Sequence, residues 1–251
     1  MNAFFLDRLN SEPHALAFAG QSTPWPVALA DQSTNPVLDG ELHAHAAAAQ
    51  ALLYPVAADL LATTGRPVDL FGFEANPARL GDAASAAASV PGIALTQLGA
   101  LIDAAELGYN PAKAKPIAVL GHSQGVLAVH MVQAICEAGS IDAAAAKIDE
   151  ILAIATLIGV AGTRQARQLG LAARHGEATP MLSVKDITRA QVDALIERVD
   201  GARGPIAVAV TNSATHYVLS GYPEDLAAFG VEVAKEHKRQ AKLREEKVRG
   251  G

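Results

Sequence analysis

Apolar and polar positions follow two different rhythms along the chain, and the change falls near residue 178. Before it, His14–Ala19 is a short apolar run expected to form a buried strand, ended by Gly20-Gln21-Ser22-Thr23-Pro24-Trp25-Pro26. A glycine at the start and prolines that forbid a helix suit a loop presenting backbone amides at a strand end. Residues 38–64 place Leu42, Ala46, Ala49, Leu53 and Val56 near one helical face, with Pro55 expected to kink or divide the helix. Residues 67–92 mix Gly, Pro and Ala with no clear period. From Pro91 to Leu107 the apolar positions 95, 98, 101, 102 and 105 predict a helix, stopped by Gly108–Pro111. Ile117–Leu120 reads as a second short strand. Val126–Glu137 follows as a helix with Leu127, Met131 and Ile135 on one stripe and Gly139 as its stop. Asp142 is expected to cap a further helix carrying Ile148, Leu152, Ala155 and Ile158.

Alternating strand and helix of this kind predicts an α/β layer over residues 1–177. From 178 to 251 the pattern becomes strand (Thr179–Val184), helix (Thr188–Val199), strand (Pro205–Asn212), strand (His216–Tyr222) and helix (Pro223–Arg244). That order, β-α-β-β-α, supplies five of the six elements of a ferredoxin-like unit, and its closing strand is expected beyond Gly251.

Composition narrows the function without naming it. Half of the 251 residues are hydrophobic and only 4% aromatic, which favours helices and close packing. A net charge of −6 and no basic patch interleaved with aromatics argue against a nucleic-acid partner. Cys136 stands alone, so no disulfide framework exists and a reducing compartment is the default. The first residues lack the basic and apolar regions of a signal peptide, and no apolar run looks long enough to span a bilayer. A soluble, cytoplasmic protein without a membrane partner is the expectation.

The chemistry concentrates in Gly121-His122-Ser123-Gln124-Gly125, a G-x-S-x-G pattern with a strand before it and a helix after it. The two glycines let the backbone pass closely, leaving Ser123 at the tip near the amino end of a helix, where negative charge is favoured. Ser123 is the candidate nucleophile. His122 beside it reads as a packed or hydrogen-bonded residue before a pocket-lining one, and Asn212 as a turn stabiliser before His216. His43, His45 and His130 read as structural or solvent-facing, His175 and His216 as loop and strand-edge residues. Cys136 reads as a small packing residue, and the tail from Glu232, with seven Lys/Arg against four Glu, as a solvated face.

Three stretches together resemble the acyl-CoA:acyl-carrier-protein transferase family. They are Phe18-Ala19-Gly20-Gln21, the serine motif, and Asn212-Ser213 followed by Val218-Leu219-Ser220-Gly221. Within that family the chain is most similar to the acetyltransferase domain at the start of bacterial type I fatty acid synthases. The resemblance implies an α/β-hydrolase-like large subdomain with a ferredoxin-like small one. It implies that Ser123 takes acetyl from acetyl-CoA and passes it to the phosphopantetheine thiol of an acyl carrier protein, beside the other domains of a synthase. No metal and no cofactor bound by this domain are implied. Oxyanion donors would be the backbone N–H groups of Gln21 and Gln124, with His122 and Asn212 on the substrate side.

Two departures qualify the resemblance. Malonyl-specific members place an Arg in the second helix after the serine to grip the carboxylate. Here Asp142–Val160 offers only Lys147, and the matching positions fall near Leu152 and Ala153, which suits an acetyl methyl. Members also use a His that follows the small subdomain, which the resemblance places beyond Gly251; His237 sits in a charged helical pattern and is not taken as the base. Malonyl or other acyl transfer, serine hydrolysis, and an inactive piece of a larger synthase remain the alternatives.

Overall fold

The computed structural model describes residues 8–20, 25–62, 70–71, 85–168, 180–199 and 204–249. The chain forms two compact units, Met1–Gln168 and Leu169–Gly251. The sequence-based boundary at 177 falls outside the described residues.

In the first unit β1 (Ala15–Phe18) and β2 (Ala118–Gly121) lie parallel, Ala15 opposite Ala118 and Phe18 opposite Gly121. The helices are α1 (Trp25–Gln32), α2 (Pro36–Ala62), α3 (Ala86–Glu106), the short α4 (Pro111–Ala114), α5 (Val126–Ala138) and α6 (Ile141–Gln168). Leu16, Phe18 and Val119 pack on the helical core, while Ala15, Ala17 and Leu120 are exposed, so β1 is half-covered rather than the buried strand expected.

Helix α3 is the centre of this unit, with Ile93, Ala94, Leu95 and Leu98 fully buried and α1, α2, α5 and α6 packed around it. It begins at Ala86, well before the Pro91 start that the sequence suggested. A proline this far into a helix removes one backbone hydrogen bond. The start at Ala86 is supported from α6, where the buried Thr163 hydroxyl accepts from the Ala87 N–H, a first-turn donor, at 2.8 Å. Its 21 residues are long and apolar enough to cross a bilayer, contrary to the sequence expectation. Yet 78% of its most apolar window is buried inside the protein, the signature of a core helix. Gly92 leaves room for the Trp25 ring, which would overlap any side chain there.

Helix α2 runs unbroken through Pro55, and begins where Asn35 accepts from the Val37 N–H at 3.1 Å with Pro36 in the first turn. Its predicted stripe of Leu42, Ala46, Ala49 and Leu53 is buried, and the Val56 side chain lies outside the described residues. Helix α5 ends at Gly139, whose φ of 89° is the left-handed stop expected. The next cap is Ser140, not Asp142: its hydroxyl accepts from the Ala143 N–H at 3.2 Å, and Asp142 sits in the first turn as a favourable charge. Ile148, Leu152 and Ala155 are buried as their spacing predicts, but Ile158 is exposed.

The second unit contains β3 (Met181–Lys185), α7 (Arg189–Val199), β4 (Ala207–Ser213), β5 (His216–Ser220) and α8 (Pro223–Arg249). The strands form an antiparallel sheet ordered β3-β5-β4, with bulges in β4. Val184, Leu195, Leu219, Phe229 and Val233 are among the residues that fill its core. The charged tail continues α8 to Arg249 rather than ending it near 244. Glu236 anchors that stretch, accepting from Gln191 at 3.1 Å and from the Arg239 guanidinium at 2.7 and 2.9 Å.

Candidate active site

The serine motif folds as a sharp strand-to-helix elbow. At the end of β2 the His122 N–H donates to the Phe18 carbonyl at 3.0 Å, continuing the ladder to β1 by one rung. Ser123–Gly125 then makes a single 3₁₀ turn, closed by the Gly125 N–H on the His122 carbonyl at 2.9 Å, and α5 starts at Val126. Ser123 has φ 54°, a left-handed conformation that non-glycine residues adopt sparingly. Such strain persists where the surroundings over-determine it.

Those surroundings are backbone. A Cβ at Gly121 would stand 2.5 Å from the Val126 nitrogen, and one at Gly125 would collide with the Phe18 carbonyl oxygen. Both glycines are required by close approach, not by an unusual φ. A Cβ at Gly20 would meet the Ser123 Cβ at 2.9 Å and the Gln124 nitrogen at 3.4 Å. The turn after β1 therefore presses against the serine.

Ser123 itself is exposed, and its hydroxyl has no hydrogen-bond partner among the described residues. Gln124 is half-buried and turns its side chain inward, its Nε2 donating to the carbonyls of Ser89 and Val90 in α3. Gln97, also in α3 and buried, donates from Nε2 to the Ala19 carbonyl at 2.6 Å. The Oε1 atoms of Gln97 and Gln124 are buried without a partner among the described residues. Sequence reading overlooked Gln97, although a glutamine between Leu95 and Leu98 in an apolar helix was a visible irregularity.

The remaining candidates are distributed as follows. Gln21 lies outside the described residues, as does His175. His122 is exposed at the elbow. Asn212 belongs to the second unit, where its Nδ2 lies 3.4 Å from His216 Nε2, an atom that also meets the Ser183 hydroxyl at 2.9 Å. His45 pairs with Asp149 at 2.6 Å, linking α2 to α6, and His43 stacks on Phe71 with ring centres 3.5 Å apart. His130 is exposed, and His237 Nε2 donates to the Lys185 carbonyl at 3.0 Å. Cys136 is exposed rather than packed, and desolvation followed by the Glu137 charge pushes its thiol pKa up, the reverse of an activated nucleophile.

In α6 the Lys147 ammonium is exposed and held by Glu150 at 2.7 Å. Leu152 and Ala153 are buried in the hydrophobic core.

Comparison with known proteins follows this architecture. The family model of the starter unit:ACP transacylase in aflatoxin biosynthesis matches residues 73–247. Fatty acid synthase beta subunit hexB of Dothistroma septosporum is 30% identical over 128 residues, covering 46% of this chain and 7% of that one. Among solved structures, the malonyl CoA-acyl carrier protein transacylase of Coxiella burnetii aligns over 90% of this chain and 58% of its own, with 18% identity and a TM-score of 0.57. MCAT from Streptococcus pneumoniae aligns over 89% of this chain and 59% of its own, with 16% identity and a TM-score of 0.54. At these identities the solved structures establish the α/β fold, and the chain spans less than two thirds of each of these proteins. With the family model matched over well more than half of its length, the chain belongs to the starter unit:ACP transacylase family.

Proposed function

We propose that this chain carries the acyl-accepting centre of an acyl-CoA:acyl-carrier-protein transacylase, with Ser123 as nucleophile and acetyl as its acyl group. The observation that carries the reading is the exposed, left-handed Ser123, seated between the Gly20 backbone and the Gln124 amide. In the first half-reaction the serine oxygen bonds to the thioester carbonyl carbon. The negative oxygen of the tetrahedral intermediate needs donors already in place. The Gln124 N–H at the mouth of α5 suits that role, and resemblance supplies the Gln21 N–H as its partner. The carbon–sulfur bond then breaks, the CoA sulfur leaves as a thiol with the serine proton, and an acyl ester remains on Ser123. In the second half-reaction the phosphopantetheine thiol of a carrier protein attacks that ester and restores the serine hydroxyl. By resemblance a histidine moves the proton in both directions.

Acetyl is favoured over malonyl because α6 brings no free cation to the matching positions. Lys147 is spent on Glu150, and Leu152 and Ala153 are apolar and buried. A carboxylate buried with no cation at those positions would lose its hydration without a partner. The test is labelling with equal concentrations of radiolabelled acetyl-CoA and malonyl-CoA. Stable acetyl label on Ser123, chased off by carrier protein, is the expected outcome. A larger malonyl label overturns the acetyl assignment, and release of free acid without transfer to carrier identifies a hydrolase instead.

A further inference from the structure

We infer that Gln97 is a positioning residue for the oxyanion side of this site, an inference that rests on the serine acyl-transfer reading above. Gln97 lies in the most enclosed part of α3, next to the fully buried Leu95 and Leu98, and is itself only 8% exposed. A polar side chain is kept at such depth only if its hydrogen bonds are made. Its Nε2 makes one, to the Ala19 carbonyl at 2.6 Å, while its Oε1 has no partner among the described residues. Burying an amide side chain among apolar neighbours is a cost, so packing alone would favour an apolar residue here. The donor end is what the position uses.

What that donor grips is the turn beside the serine. Ala19 follows β1 and precedes Gly20, whose backbone abuts Ser123 and the Gln124 nitrogen. On the other side of the same gap, Gln124 is tied to the Val90 carbonyl. Val90 and Gln97 are seven residues apart on one helix, about two turns and roughly 10 Å along its axis. Both walls of the oxyanion gap are thus suspended from α3, one through a side-chain donor and one through a backbone acceptor. Catalysis of this kind depends on donors held in advance at the site of developing charge, and small displacements are costly.

The test is pre-steady-state acylation of the full polypeptide by acetyl-CoA, comparing Gln97→Met with the unsubstituted protein. Methionine retains the volume and removes the donor. The burst amplitude counts folded, competent sites, and the burst rate constant reports their chemistry, so partial misfolding does not obscure the result. The expected outcome is a burst rate constant lowered by about 10-fold or more, with KM for acetyl-CoA changed by less than about threefold. A rate constant within about twofold of the parent, or a loss confined to amplitude, overturns the inference and leaves Gln97 a core residue. Ser123→Ala run in parallel separates the two claims. If its burst vanishes, the serine reading stands whichever way Gln97 falls; if its burst persists, both are wrong.

Discussion

The two units solve the same problem, burying apolar surface around a small sheet, with opposite materials. The second uses large side chains: Phe229, Leu219, Tyr217 and Leu195 fill the space between three strands and two helices. The first achieves its closest contacts with missing side chains. Gly20, Gly121 and Gly125 let three backbone segments converge around Ser123, and Gly92 receives Trp25. Bulky cores tolerate volume-conserving swaps of side chains, whereas backbone in contact with backbone leaves no room for any side chain. Position is what a catalytic group needs, and the proposed nucleophile lies where the packing is least forgiving.

Substitutions can set these two materials against each other. Ser123→Ala removes the proposed nucleophile and no packing. Transfer of acetyl to carrier protein is expected to fall by about three orders of magnitude or more, with an unchanged melting curve; a lower melting temperature would mean that the serine also bears structure. Phe229→Ala makes the opposite cut, deleting a fully buried ring from the second unit. A loss of about 3–5 kcal/mol is expected, read as weakened amide-exchange protection in β3, β4 and β5. Gly125→Val attacks both properties at once, because its side chain would occupy the space of the Phe18 carbonyl. Destabilisation of about 3 kcal/mol or more should come with loss of acylation in the molecules that remain folded.

Glu236→Gln is the mildest and carries a sign. The hydrogen bond from Arg239, against the opposing effect of burial, holds the Glu236 pKa down to about 2. A carboxylate depressed in the folded state contributes stability above the ordinary carboxylate range and loses it as pH falls toward that value. The melting-temperature gap between parent and variant is therefore constant near neutrality and closes on acidification. A gap that widened in acid would show that Glu236 does not act through its charge.

The same contrast governs how much could be read from the sequence. In the second unit hydrophobic and polar positions are sharply divided, and all five elements appear in the order that the spacing predicts. In the first unit α3 is apolar on almost every face, so its period says little about where it begins. The buried hydroxyl of Thr163, 76 residues away in sequence, is what supports the start at Ala86. Likewise Pro55 could not announce that α2 would run through it. Family resemblance supplied the fold class, and the G-x-S-x-G motif supplied the elbow, because two glycines flanking a serine between strand and helix are a local instruction. The grip of Gln97 on Ala19 depends on a contact spanning 78 residues and has no such local signature.

Everything proposed for the first unit depends on an acyl group residing on Ser123. Peptide-level mass spectrometry after brief exposure of the full polypeptide to acetyl-CoA reads that state. An acetyl mass increment is expected on the peptide containing Ser123, removed by addition of carrier protein and absent from Ser123→Ala. An increment on another residue, or one that survives the Ser123→Ala substitution, would contradict the assignment.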